Sequence, residues 1–174
     1  MRKSRRLWVG VTLLVSSSVF AVEPGNGAHD GVESHIPECM AYHHSIPINN
    51  EQVLHFKRTT PNQFQERAHV RGTISRVYED HSGHHHFELS LGSRPDSTIE
   101  VIYNEAFGRV PDAQIGMNVE ACGDYITSIA PAGPYPESPD GAIIHWVHKN
   151  PKPYGHPSGF LVMDGRLCGQ EVGN

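Results

Sequence analysis

The sequence predicts an all-β fold with a minor helical part, arranged as a small five-stranded barrel. Five short runs between residues 70 and 148 alternate apolar and polar side chains, which is the pattern of half-buried strands. Gly, Pro, Asp and Ser separate the runs where turns are expected. A helical turn predicted around residues 105–109, between the third and fourth strands, favours a barrel of the oligonucleotide/oligosaccharide-binding (OB) type. An open sheet or a sandwich is the alternative. The runs are VRGTISRVY, HFELSLG, TIEVIYN, NVEACGDYI and AIIHWVH.

The first 21 residues are predicted to be a secretory signal peptide. Four basic residues precede an apolar stretch from Leu7 to Phe20, and Val19-Phe20-Ala21 forms a small-x-small cleavage site. The apolar stretch is shorter than the roughly 20 residues that a membrane-spanning helix needs. We therefore expect cleavage after Ala21, no membrane span afterwards, and a bacterial protein that is periplasmic or secreted.

The mature chain is acidic and rich in histidine. Loss of the leader takes the 14 Lys and Arg to ten, against 19 Asp and Glu, so the formal charge becomes −9 while all 13 histidines remain. Such a chain lacks the broad basic surface of a nucleic-acid-binding protein. Nucleic acid is therefore a disfavoured partner, although a local patch could still bind a strand. The sequence leaves the ligand and the oligomeric state open.

Three cysteines, Cys39, Cys122 and Cys168, remain in the mature chain. In an oxidising compartment they predict one disulfide and one free thiol. The sequence does not choose among the three possible pairings. Because there is no Cys-x-x-Cys motif, a structural disulfide is favoured over a redox centre.

The mature chain divides into two predicted parts. Residues 22–69 are an irregular extension with one short helix through EQVLHFKR, which Asn50 is predicted to cap and Pro61 to end. Residues 70–174 form the barrel domain. Its tail, GFLVMDGRLCG, is predicted to add a final strand or hairpin.

A His-x-His pair opens the second predicted strand. In GHHHFELSL, Phe87 and Leu89 share one face of the strand. His84, His86 and Glu88 therefore share the other face. Two imidazoles on one face, about 7 Å apart at their Cα atoms, can converge on one metal ion. The alternative is a hydrophilic, solvated start of a strand.

The run AIIHWVHKNPKPYGHPSGF carries three more histidines where a strand passes into a loop rich in Pro and Gly. His145 and His148 differ by three, so a regular strand would point them to opposite sides. They share a site only if the strand bends or ends near Val147, and the prolines that follow indicate that it ends soon after. Binding residues commonly lie on loops that emerge from a rigid barrel, as His156 would. Ordinary packing of the tryptophan and isolated hydrogen bonds of each histidine are the alternative.

At these residues the chain resembles a known family. GAIIHWVHKNPKPYGHPSGFLVMDGR is similar to the signature of an uncharacterised bacterial family of small exported domains, with a His-Trp-x-His run, a nearby Pro, and a later His followed by Gly and an aromatic residue. RGTISRV, SGHHHFELSL, VIYN and VEACGDY resemble its preceding strands in order and spacing. The resemblance covers residues 70–166 and implies an OB-type barrel without an established activity. Positions that match the family's histidine pattern are His84, His145, His148 and His156. Lys149 and Asn150 stand where members often have His and Asp, and Tyr103 where His is common.

The histidines predict a transition-metal site, because neutral imidazole suits zinc, or copper and nickel, better than calcium or magnesium. The predicted ligands are His84, His145, His148 and His156, with His86 and Glu88 as auxiliaries. An open coordination position could activate water for phosphodiester hydrolysis, and without metal a histidine could act as a general base or the site could hold an anion. No P-loop, Gly-x-Ser-x-Gly elbow or His-Glu-x-x-His helix is present, so enzymatic activity is left open.

A non-enzymatic binding module is the alternative function. Aromatic and polar side chains would then contact a single-stranded nucleic acid, a glycan or a protein. The predicted contact residues are Tyr103, Asn104, Tyr125, Trp146 and Lys149. A third possibility is that the histidines only sense acid.

Overall fold

The structure is a computed structural model that describes residues 35–171. The predicted signal peptide and residues 22–34 of the predicted extension lie outside the described residues. The elements in chain order are β1 (Met40–Ala41), β2 (His44–Ser45), α1 (Asn50–Thr59), β3 (Gln65–Val77), β4 (His84–Ser90), β5 (Thr98–Asn104), a 3₁₀ turn (Glu105–Phe107), β6 (Asn118–Thr127), β7 (Ala142–His145), β8 (Phe160–Met163) and β9 (Arg166–Cys168). Over this range no helix combines the length and apolarity needed to cross a bilayer.

Five strands close into a barrel in the order β3-β4-β5-β7-β6, because β6 also pairs with β3. The closing ladder is antiparallel and long, from Gln65 opposite Ile126 to Thr73 opposite Asn118. The pairing of β5 with β7 is parallel, and the other barrel pairings are antiparallel. The predicted fold class, a small OB-like barrel with a minor helix, is confirmed.

Strand β6 changes its partner part-way along one edge. Residues 124–127 pair with β7, and residues 119–122 pair with β8. The chain between these two strands, residues 146–159, therefore leaves the sheet as a loop at the point where the partner changes. Strands β8 and β9 form the predicted C-terminal hairpin.

The alternating apolar residues of the strands fill the barrel. One continuous cluster includes Val70, Ile74, Phe87, Leu89, Ile99, Val101, Tyr103, Val119, Tyr125, Ile144, Leu161 and Met163. Tyr103 and Tyr125 have no exposed surface. Their hydroxyls bond inside the protein, to Gly108 O and Thr127 Oγ1. This placement does not match their predicted role in contacting a ligand, because their strand positions face the core.

Two boundaries differ from the prediction. Strand β3 begins at Gln65, five residues before the predicted Val70, because the charged residues there still pair with β6. The helix cap is Asn49, whose Oδ1 accepts from the Gln52 amide at 3.0 Å. Asn50 is instead the first helical residue, and its side chain donates to two main-chain carbonyls of the barrel, Arg71 O and Leu91 O. The helix is thereby fixed to the sheet.

The predicted disulfide is confirmed, and it joins Cys39 to Cys122. Cys168 is free and buried. The bond ties the N-terminal segment to the middle of β6, where Phe160 and Val162 form a second apolar cluster around it. A disulfide is consistent with an oxidising compartment.

A histidine-lined cleft as the candidate functional site

The candidate site is a cleft of about 410 Å³ between the barrel and the loop of residues 146–159. It lies where β4 begins and where β5 and β7 end. The lining residues are His84, Asn104, Phe107, His145, Trp146, His148, Asn150, Pro151, Lys152, Tyr154, Gly155 and His156. Four predicted metal-ligand positions, together with Asn104 and Trp146, therefore line one cleft. Lys149, His86 and Glu88 do not line it.

A backbone reversal at Trp146 brings the late histidines together. Strand β7 ends at His145, and Trp146 has φ 52°, in the left-handed region that non-glycine residues rarely occupy. The alternation of a strand is lost there, one residue before the predicted Val147. His145 and His148, which a continuous strand would place on opposite faces, consequently line the same cleft. An unfavourable backbone conformation of this kind is frequent at functional sites.

The reversal depends on close backbone packing at two glycines. A Cβ on Gly159 would lie 2.3 Å from both Cys122 O and Trp146 O. A Cβ on Gly123, at the position where β6 changes partner, would lie 2.4 Å from His145 O. Any larger residue at either position would push residues 145–148 out of place, since real Cβ contacts essentially never fall below 3.0 Å.

Aromatic rings run continuously around the cleft. The ring centroids of His84 and His145 lie 6.0 Å apart, and His145 stacks on Trp146 at 4.9 Å. Trp146 also stacks on His156 at 5.2 Å, and His156 meets His148 edge-on at 5.4 Å. These contacts place the rings side by side, and they give two close imidazole pairs, His84–His145 and His148–His156.

Three of the four rings are held in one tautomer by main-chain carbonyls. Nδ1 of His84 lies 2.9 Å from Ser82 O, Nδ1 of His148 lies 3.0 Å from Lys149 O, and Nδ1 of His156 lies 2.9 Å from Pro157 O. A carbonyl only accepts, so each Nδ1 carries the hydrogen and donates it. Within residues 35–171 no hydrogen bond involves Nε2 of these rings. In the neutral form each ring therefore keeps an unused Nε2 lone pair.

Burial keeps the two central imidazoles neutral. Desolvation is the main cause that lowers the pKa of His145, and electrostatic repulsion from His84 is the next. Together with the other nearby histidines they lower this pKa to about 4. Desolvation also lowers the pKa of His148, although its bond to Lys149 O acts in the opposite direction. At neutral pH both rings are consequently lone-pair donors and not cations.

The low pKa of His145 predicts a loss of stability in mild acid. The folded-state pKa of about 4 lies below the ordinary histidine value of 6.5, so the unfolded chain binds more protons between these two pH values. Stability should be full above pH 6.5 and should fall as the pH drops to 4, by about 3 kcal/mol for this group at 1.36 kcal/mol per pKa unit. Urea unfolding of the metal-free protein across this range measures the change.

The variant H145N isolates the contribution of this ring from that of the carboxylates that titrate nearby. Its stability should fall less steeply than that of the wild type between pH 6.5 and 4. Parallel curves for the two proteins would show that His145 does not remain neutral in the folded state.

The donor atoms suit a transition metal, but no ligand set is already closed. Among residues 35–171, no three His, Cys, Asp or Glu side chains are placed to hold a metal ion. With Zn–N bonds near 2.0–2.1 Å, two tetrahedral imidazole ligands have ring centroids roughly 5 Å apart. The observed separations of 5.4 Å and 6.0 Å are a little longer than that spacing.

Several cleft residues were not predicted from the sequence. Phe107 stacks on His148 with centroids 3.5 Å apart. Asn150 organises the loop, since its side chain donates to Tyr154 O and His156 O and accepts from the Lys152 amide. The Asn-Pro dipeptide at 150–151 was the available signal for such a turn. Tyr154, at the cleft wall, is 70% exposed.

No family model matches the chain, and a search of curated proteins found no match either.

Proposed function

We propose that the cleft binds a transition-metal ion of the zinc, copper or nickel class through Nε2 atoms of its histidines. One observation carries the proposal: four imidazoles line a single cleft, and main-chain carbonyls hold three of them with Nδ1 protonated. Metal-ligating histidines almost always donate their other ring nitrogen to a carbonyl or carboxylate. His84, His148 and His156 share this arrangement.

The same observations favour a metal over an anionic ligand. An anion would need imidazolium donors, and the lowered pKa values of His145 and His148 oppose that form. Lys152 is the cation that lines the cleft among the described residues. Neutral imidazole nitrogens are good ligands for zinc, copper and nickel, and poor ones for calcium and magnesium.

The disulfide also supports an exported metal-binding domain. Cys39–Cys122 fits an oxidising compartment, in which a soft thiolate site would be unstable and an imidazole site would persist. The signal peptide predicted for residues 1–21 agrees with this location. The proposed function is therefore that of an exported OB-like domain that captures a transition-metal ion.

Metal binding to the untagged protein tests this proposal. The mature chain should take up one Zn²⁺, Cu²⁺ or Ni²⁺ per molecule in isothermal titration calorimetry, and H145A should bind at least about tenfold more weakly, as expected when a ligand or its orientation is lost. H55A is the matched control, because His55 is an exposed residue of α1. Absence of binding by the wild type, or equal binding by H145A, would exclude the proposal.

A further inference from the structure

His86 is the structural anomaly next to the cleft. Its side chain is 8% exposed, and Nδ1 lies 2.7 Å from Oε1 of Glu100, whose side chain is equally buried. Nε2 of His86 has no hydrogen-bond partner, and within residues 35–171 it is the one buried side-chain nitrogen or oxygen in that condition. A buried nitrogen in this state has lost its hydration without gaining a partner, which destabilises the fold. A buried polar atom without a partner in a native protein therefore indicates that a ligand, ion or water binds there.

The carboxylate of Glu100 determines which atom of His86 is available. A carboxylate accepts, so the hydrogen of the neutral ring lies on Nδ1 and the lone pair lies on Nε2. Pairs of this type, carboxylate to Nδ1 and metal to Nε2, are the usual support of a metal-bound histidine. The buried Nε2 therefore carries the free lone pair that a metal-binding nitrogen needs.

The position of His86 on the barrel places it beside the first imidazole pair. His84 and His86 share the outward face of β4, because Phe87 and Leu89 face the core, and their ring centroids lie 6.4 Å apart. His84 in turn lies 6.0 Å from His145. Two imidazoles from β4 and one from β7 therefore lie close together on the outer face of the sheet. Strand β5 lies between β4 and β7 and passes beneath them.

We propose that His86 is the third ligand of the ion bound by His84 and His145, and that Glu100 is the positioning residue for His86. This inference rests on the proposed metal-binding function and specifies its ligand set. Closing the set requires the rings to approach from 6.0–6.4 Å to roughly 5 Å between centroids. The ion then supplies the partner that Nε2 of His86 lacks.

A three-histidine set leaves one position of a tetrahedral ion free. Zinc sites with three protein ligands and an open fourth position bind water or a small ligand there. His148, His156 and Lys152 line the adjoining cleft and remain available to contact that fourth ligand. The ligand class that fits is a small Lewis base, such as water or a monodentate anion.

Cobalt spectroscopy distinguishes the third ligand from the rest of the site. Co²⁺ added to the wild type should give the intense visible absorption of a tetrahedral nitrogen site. H86A should lose that absorption and bind at least about 100-fold more weakly, whereas E100Q should keep the absorption at saturation and bind about 10–100-fold more weakly. H85A is the control, because His85 is the neighbouring β4 residue whose Nδ1 bonds Asp80 on the surface.

The outcomes separate the two proposals. If the wild type and H86A bind Co²⁺ equally while H145A does not, the third-ligand proposal is overturned and the metal-binding proposal stands. If the wild type does not bind, both fail. Should H86A not fold, the ¹⁵N shift of His86 Nε2 in the wild type decides: it should move by tens of ppm on addition of Zn²⁺, and an unchanged shift would overturn the assignment.

Discussion

Reduction of the Cys39–Cys122 disulfide is expected to lower the free energy of unfolding by about 4 kcal/mol, because the open chain gains the entropy of a long loop. The two cysteines are separated by 83 residues. The bond joins the N-terminal segment to β6, so its loss should also release the β1–β2 hairpin from the barrel. Urea unfolding at pH 7 with and without reductant measures the difference.

Two variants control for side effects of reduction. C168A, which lacks the free buried thiol, should respond to reductant as the wild type does. The double variant C39A/C122A should match the reduced wild type within about 1 kcal/mol, with any extra loss due to the small cavity left in the Phe160 cluster. A reduced protein that unfolds within 1 kcal/mol of the oxidised one would show that the segment is held by its other contacts.

The barrel could be predicted from the sequence because its signals are local. Phe87 and Leu89 alternate with polar residues on β4, and Gly, Pro, Asp and Ser mark the turns. Each strand is half-buried, so the period of two survives in the sequence. The start of β3 could not be placed in this way, since Gln65 and Glu66 are polar and their strand conformation depends on pairing with β6.

The late histidines required information that is not local. Their position in one cleft depends on the positive φ of Trp146. Tryptophan has no preference for positive φ, so the residue type does not predict it. It also depends on Gly123 and Gly159, which come from other parts of the chain and permit the close backbone approach. From the sequence it could be predicted only that the histidines share a site if the strand bends or ends near Val147.

The histidine tautomers and the buried His86–Glu100 pair could not be predicted from the sequence either, because they also depend on contacts between distant segments. Glu100 was not singled out, because a glutamate in an alternating strand normally faces solvent. Here it is 6% exposed and meets His86 diagonally across β4 and β5. Only the register of two strands brings the carboxylate to the imidazole.

Replacement of Arg67 is the second change with a large expected effect. Its guanidinium is 3% exposed at the side chain and donates to Asp124 Oδ1 at 2.8 Å. R67M should lower the free energy of unfolding by about 3–5 kcal/mol, because it leaves the Asp124 carboxylate buried without its cation. Urea unfolding at pH 7 measures the loss.

The same guanidinium connects the barrel to two other segments. Nε donates to Met40 O in the N-terminal hairpin, and Nη2 donates to Ser158 O in the cleft loop. Its replacement should therefore also increase amide hydrogen exchange in residues 149–158. The disulfide does not attach this loop to the barrel, because it joins Cys39 to Cys122.

A double-mutant cycle separates the charge pair from these carbonyl contacts. If the buried carboxylate dominates, R67M/D124N should be at least about 1 kcal/mol more stable than R67M, since removing both members of a buried ion pair costs less than removing one. If the losses simply add, Arg67 acts mainly through Met40 O and Ser158 O. The exchange rates in the loop would then change equally in R67M and in the double variant while D124N alone leaves them unchanged, and the arginine would be a support of the cleft more than a partner of Asp124.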